Sequence, residues 1–223
     1  KMKIERLIEK EIVARFFSNK AIIITGPRQA GKTTMVSKLL QPYIHETLIL
    51  DGDDPNTSVM MNRPGTEQLR SIIGKNKIVF IDEAQKIPEI GLTSKIIVDQ
   101  FKDVQLILSG SSSFELMEKT QEPLTGRKWT FNLWPVSWEE LQNYFGYVKS
   151  EQDIENRLVF GCYPDVLMNP ADQQIILKEL ASSYLYRDVL MYARIEKPEV
   201  LIKLLQALSY QLGNEVSYNE IAA

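Results

Sequence analysis

The apolar positions of the chain follow two patterns that alternate. Between residues 3 and 17, Ile4, Leu7, Ile8, Ile12, Val13, Phe16 and Phe17 recur at a helical period with charged residues between them, which predicts an amphipathic helix. Four other stretches, AIIIT at 21–25, ETLIL at 46–50, KIVFID at 77–82 and VQLILS at 104–109, are short, apolar and almost unbroken. Runs of that kind predict strands buried on both faces of a sheet. Helical periods at 32–41 and at 93–102, the latter with Ile96, Ile97 and Phe101 on one side, stand among them. Strand alternating with helix implies an α/β fold with a parallel, helix-covered sheet.

A fifth strand is predicted in KWTFNLW, 128–134, where Trp129, Phe131 and Leu133 alternate with Lys128, Thr130 and Asn132. Two readings compete there. The aromatic rings beside Arg127 and Lys128 either stack on single-stranded nucleic acid or pack an edge strand on the core. Beyond Pro135 helical periodicity dominates to about residue 212, opening with Ser137 and Glu140 at capping-box spacing. The expected division is a core at 1–135, a helical region at 136–212 and the start of a further domain at 213–223. In SYNEIAA, Ser217 and Glu220 repeat the capping-box spacing, so the chain is expected to be the N-terminal part of something longer, with Met2 as its native start.

Composition narrows the function classes. With 26 Lys plus Arg against 29 Asp plus Glu, the net charge of −3 provides no global field toward nucleic acid or anionic lipid, so any such contact must be local. One cysteine, Cys162, allows no internal disulfide, and with one histidine, His45, the ligands for a Cys/His zinc site are missing. A reducing cytoplasm is the expected location. No apolar run approaches the length needed to cross a bilayer, so no membrane partner is expected.

The stretch TGPRQAGKTT, 25–34, carries the chemistry. Gly26, Gly31, Lys32 and Thr33 fit G-x-x-x-x-G-K-[ST] between a predicted strand and a predicted helix. Glycine lets successive N–H groups converge on one point, and the helix N-terminus adds partial positive charge, so phosphate is the fitting ligand. Gly26, Pro27, Arg28, Gln29, Ala30, Gly31, Lys32, Thr33 and Thr34 are the candidate nucleotide-binding residues. Lys32 would reach the β- and γ-phosphates and the Thr33 hydroxyl would bind Mg²⁺. The competing reading is a glycine-rich turn without a ligand.

The apolar strand ending in Asp82 and Glu83 supplies the second element. Strand tips at the C-terminal edge of open α/β sheets are where ligands bind. Asp82 is the candidate metal residue and Glu83 the general base that polarises an attacking water. Ser109, closing the next strand, is placed to sense the γ-phosphate or the water; Ser111 competes for the role, and a small residue that merely ends a strand is the plain alternative. Arg127, in LTGR, is a cation able to reach a neighbouring subunit's γ-phosphate, which implies a homo-oligomer, or else a solvated surface arginine. Lys32, Glu83, Ser109 and Arg127 are thus the candidate catalytic residues.

The succession GPRQAGKTT, LDGDDP, FIDEAQKIP, LSGSSS, LTGR, LWPVSWEE and GCYPDV, covering about residues 20–190, resembles the prokaryotic AAA-superfamily ATPases of the fourteenth AAA domain family, within the ASCE branch of P-loop ATPases. The resemblance implies a sheet of order 5-1-4-3-2 followed by a helical lid, and a winged helix beginning at SYNEIAA. It implies ATP and Mg²⁺ as cofactors, water activation by Glu83, and Pro164 of GCYP lying against adenine; from its residues alone, GCYP is equally a helix-stopping turn. No clear second sensor arginine is present, Arg187 being a candidate without a motif. A GTPase is disfavoured because no Asn-Lys-x-Asp element follows the acidic strand, and a helicase because no second motor domain is present. Two other classes stay open: a nucleotide-gated switch that hydrolyses slowly or not at all, and a DNA-binding regulator acting through the winged helix.

Overall fold

The computed structural model describes residues 4–111, 113–182, 198–217 and 219. Five strands, β1 (Ala21–Thr25), β2 (Thr47–Asp51), β3 (Ile78–Asp82), β4 (Gln105–Gly110) and β5 (Lys128–Asn132), form one sheet. Every pairing is parallel and the order is β2-β3-β4-β1-β5, which is 5-1-4-3-2 taken from the other edge.

Alternation along the central strands divides the core into two layers. Ile22, Ile24, Ile78, Phe80 and Ile107 face Ile12 of α1 (Glu9–Val13) and Met35, Val36 and Leu40 of α2 (Lys32–Leu40). Ala21, Ile23, Val79, Ile81, Leu106 and Leu108 face the other way, toward α3 (Pro55–Met60), α4 (Thr66–Ile73), α5 (Ile90–Gln100) and α6 (Ser113–Gln121). Covered on both faces, β1, β3 and β4 have almost no polar alternation, as parallel strands require. β2 departs from the expected burial: it is an edge strand, and Ile49 is 51% exposed.

The N-terminal helix is shorter than the periodicity of 3–17 predicts. Glu9 turns its carboxylate back onto the Arg6 N–H, Glu140 takes the Leu7 N–H, and the Phe17 N–H goes to Gln105 Oε1 at 2.6 Å with Phe17 in left-handed backbone. Long-range side-chain acceptors thus replace the intrahelical ones at both ends. At the opposite edge of the sheet, Phe131 packs on the core, and Trp129 is covered by Arg15 and Lys20 and donates to Ser18 Oγ at 3.0 Å. The edge-strand reading of KWTFNLW is the one realised, since the chain itself occupies the indole.

After β5 the described residues form six helices: α7 (Trp138–Phe145), α8 (Tyr147–Gln152), α9 (Ile154–Phe160), α10 (Pro164–Met168), α11 (Gln173–Leu180) and α12 (Pro198–Tyr210). Ser137 caps α7 with the full reciprocal box to Glu140. The chain forms two compact units, residues 1–168 and 169–223, so that α7 to α10 are built into the same unit as the sheet. Arg187 and Glu220 lie outside the described residues. Among the described residues no helix is long and apolar enough to cross a membrane.

Candidate functional site

Because all strands run one way, the loop after β1, the tip of β3 and the end of β4 meet at one edge of the sheet. The loop 26–31 leaves β1 through Gly26, whose backbone lies so close to the β5–α7 linker that a β-carbon would stand 2.0 Å from Leu133 O. It enters α2 through Gly31, a left-handed N-cap without a side-chain cap, so the first amides of α2 are left to another acceptor.

Lys32 turns back over this loop. Its Nζ donates to Gly26 O and Pro27 O, both at 2.9 Å, and the residue is buried. Burial pushes the ammonium below the ordinary lysine range; Glu83 and Asp82 pull it back up, and Arg28 pushes it down. Thr33 Oγ1 donates to Asp82 Oδ2 at 2.6 Å, tying the start of α2 to the tip of β3. The other Asp82 oxygen accepts from Ser109 Oγ and from the Glu83 N–H. Glu83 adopts left-handed backbone, φ 45 and ψ 41. Its Oε2 accepts from Ser111 Oγ at 2.8 Å.

The structure therefore brings together Lys32, Thr33, Asp82, Glu83, Ser109 and Ser111, with the two serines divided between the two acids. Thr34 lies exposed in the first turn of α2. Pro164, the first residue of α10, stands beside the loop: a β-carbon on Gly31 would lie 3.9 Å from Pro164 Cγ. Arg127 is not part of this cluster. Its carbonyl accepts from the Ala21 N–H at the start of β1, so it lies at the opposite edge of the sheet, with Nε on Asp99 Oδ1 at 2.8 Å.

Two contributors went unread in the sequence. Arg6, 7% exposed, donates to Ala30 O in the loop at 2.9 Å, to Glu140 Oε2 at 3.0 Å and to the carbonyls of Trp134 and Pro135. Gly52 donates its N–H to Asp82 O at 2.8 Å. Arg6 carried no signal beyond one polar position on an amphipathic segment, whereas the glycine directly after a predicted strand in LDGDDP was a visible cue.

A loop of main-chain donors and one lysine, tethered to an acidic strand tip through a hydroxyl, is suited to a phosphate chain with a hard cation: the donors around Thr33 and Asp82 are oxygens. The AAA domain family profile matches residues 18–142, which contain this whole cluster. The chain belongs to that AAA domain family. A second profile, a domain of unknown function, matches residues 151–223. An uncharacterized protein of Methanocaldococcus jannaschii, MJ1544, is 24% identical over 97% of this chain and 52% of its own length. The uncharacterized protein Rv2008c of Mycobacterium tuberculosis is 32% identical over 48% of this chain and 23% of its own length. The chain thus spans about half of the archaeal relative and about a quarter of the mycobacterial one. Among solved structures, the Walker-type ATPase PABY2304 of Pyrococcus abyssi superposes with TM-score 0.61 at 17% identity, covering 95% of this chain and 80% of that one. The fold is that of a P-loop NTPase, and the family is one of nucleotide-binding or nucleotide-hydrolysing domains.

Proposed function

We propose that this chain binds ATP with Mg²⁺ and hydrolyses it to ADP and phosphate by in-line attack of water on the γ-phosphate. The observation that carries the reading is the Thr33–Asp82 hydrogen bond, which fixes the phosphate loop against the acidic tip of β3. On binding, Lys32 exchanges its two loop carbonyls for β- and γ-phosphate oxygens, and the loop and α2 amides take the remaining ones. Thr33 and Asp82 would hold Mg²⁺, whose charge offsets that of the phosphates when it is bound. Ser109 orients the Asp82 carboxylate, and Glu83 orients and deprotonates the water. Pro164, beside Gly31, lines the base on this reading.

Arg127 acts, on this reading, only across a subunit boundary, toward the γ-phosphate of a second copy in a homo-oligomer. The helices within 136–212 serve as the lid whose movement turnover drives, followed by a winged helix from about 213 through which the full-length protein contacts DNA. A nucleotide-gated switch with little turnover is the competing function, and the two diverge at Glu83. The test uses the full-length protein with Mg²⁺. Glu83→Gln should abolish phosphate release while calorimetry still detects ATP binding, and Lys32→Ala should lose both. Well-folded protein that binds no adenine nucleotide overturns the proposal; binding without turnover in the unmodified protein favours the switch.

A further inference from the structure

Gln85 is a buried polar side chain of this neighbourhood that the mechanism does not use. It is 2% exposed, two residues beyond Glu83 in the short helical turn after β3. Its Nε2 donates to Glu83 Oε2 at 2.5 Å and approaches Ser111 Oγ at 3.3 Å, while Ser111 Oγ donates to that same Glu83 oxygen. One carboxylate oxygen is therefore held in a closed triangle of three side chains. Among the described residues, the other oxygen of Glu83 has no hydrogen-bond partner.

The amide cannot be turned over, because its carbonyl would then face the carboxylate. Held this way, Gln85 Oε1 is buried beside Gly110 and Leu116 and, among the described residues, accepts no hydrogen bond. An unsatisfied buried carbonyl is destabilising, so this amide is a poor choice for stability. The turn that carries it is fastened independently, through Lys119 Nζ on the carbonyls of Gln85 and Ile87. Glu83 itself sits in left-handed backbone, which non-glycine residues adopt at a cost. One unfavourable feature lies on Glu83 and the other on the side chain that holds its carboxylate, the group the proposed reaction needs oriented.

We propose that Gln85 is a positioning residue for Glu83. Together with Ser111 it pins one oxygen of the carboxylate, so that the free oxygen is presented to the attacking water. This rests on the ATP-hydrolysing reading above. Gln85 touches neither nucleotide nor water, and its whole contribution passes through Glu83.

The test compares steady-state hydrolysis, ATP affinity and thermal unfolding for full-length Gln85→Met and Ser111→Ala proteins and their combination. Gln85→Met keeps the length of the side chain and removes the orphaned carbonyl. It should melt no lower than the unmodified protein and keep KM and ATP affinity within about two-fold, with kcat lowered at least about ten-fold. A lower kcat at unchanged affinity and melting temperature is a result that a general packing role would not give. Should Gln85→Met fail to fold, Ser111→Ala reads the same tether from its other side. An unchanged kcat, or a loss of kcat matched by an equal loss of ATP affinity or by a lower melting temperature, overturns the assignment while leaving the ATPase reading intact. An unmodified protein that hydrolyses no ATP overturns both.

Discussion

Arg6 and Glu140, 134 residues apart in sequence, form a buried ion pair at 3.0 Å. The pair joins three things: the N-terminal segment, the phosphate loop through Ala30 O, and the capping box of α7. Glu140 also accepts from the Leu7 and Ser137 amides, so each charge has several partners. Removing one partner leaves the other charged and desolvated. Arg6→Ala or Glu140→Ala should each cost about 3–5 kcal/mol in denaturant unfolding. The double variant Arg6→Met/Glu140→Leu should cost less than the sum of the two, because it leaves no orphaned charge. An additive double variant would mean that the pair is not energetically coupled.

Gly52 is held against the acidic tip by backbone on both sides. Its N–H bonds Asp82 O, and a β-carbon would lie 2.4 Å from Glu83 O and 3.1 Å from Asp82 O. Neither carbonyl can move without shifting the two acids. Gly52→Ala should destabilise the fold by about 1–3 kcal/mol and slow hydrolysis more than it weakens nucleotide binding. Chemical denaturation together with phosphate-release assays checks both effects, and an unperturbed melting curve would contradict the close packing.

Lys32 titrates below the ordinary lysine value because burial disfavours its charge. Bound phosphates favour the charged form and raise its pKa, so at alkaline pH nucleotide binding must take up a proton. The sign follows: affinity falls as pH rises through the free-state value, at most about ten-fold per pH unit for one proton. Calorimetry in buffers of differing ionisation heat should detect that uptake. Lys32→Arg, whose side chain stays charged, should bind more weakly but without this pH dependence.

The sheet was legible in the sequence because four short apolar runs and one alternating segment are each one strand long and their connections are too long for hairpins. The convergence of Lys32, Thr33, Asp82 and Glu83 was legible because each stands just beyond or at the end of a predicted strand of one parallel sheet. What could not be read are contacts made across the fold by single residues. Nothing near Arg6 announces a partner at Glu140, and Ser109 and Ser111 could be divided between Asp82 and Glu83 only once β4 lay beside β3. The N-terminal helix was overestimated for the same reason: its periodicity is genuine, but Glu140 and Gln105 take the amides that further turns would have used.

Arg127 and Asp99 form a partly exposed pair at 2.8 Å at the sheet edge remote from the phosphate loop. Such pairs contribute about 1 kcal/mol or less, so Arg127→Ala should fold normally. If Arg127 serves a neighbour, the variant should lose turnover yet bind ATP as before. Mixing it with Lys32→Ala, which keeps its arginine but lacks a working loop, should then recover part of the activity. No recovery on mixing, or full activity of Arg127→Ala alone, would remove the role across subunits.

The hydroxyl of Thr33 has two tasks that can be separated by experiment. In the free protein it donates to Asp82 Oδ2, and with metal bound it must turn a lone pair outward. Thr33 is exposed, so removing its hydroxyl should leave stability within about 0.5 kcal/mol. Thr33→Val keeps the shape of the side chain but can neither donate to Asp82 nor coordinate a cation. ATP affinity measured with a chelator present should be unchanged, whereas the gain on adding Mg²⁺ should shrink about 10–100-fold. Thr33→Ser keeps the hydroxyl and should retain that gain. Asp82→Asn should resemble the valine variant in its response to Mg²⁺ while keeping affinity for metal-free ATP, since it removes a negative charge from beside the phosphates. Equal losses with and without Mg²⁺ would show that Thr33 acts on the phosphate loop rather than on the metal.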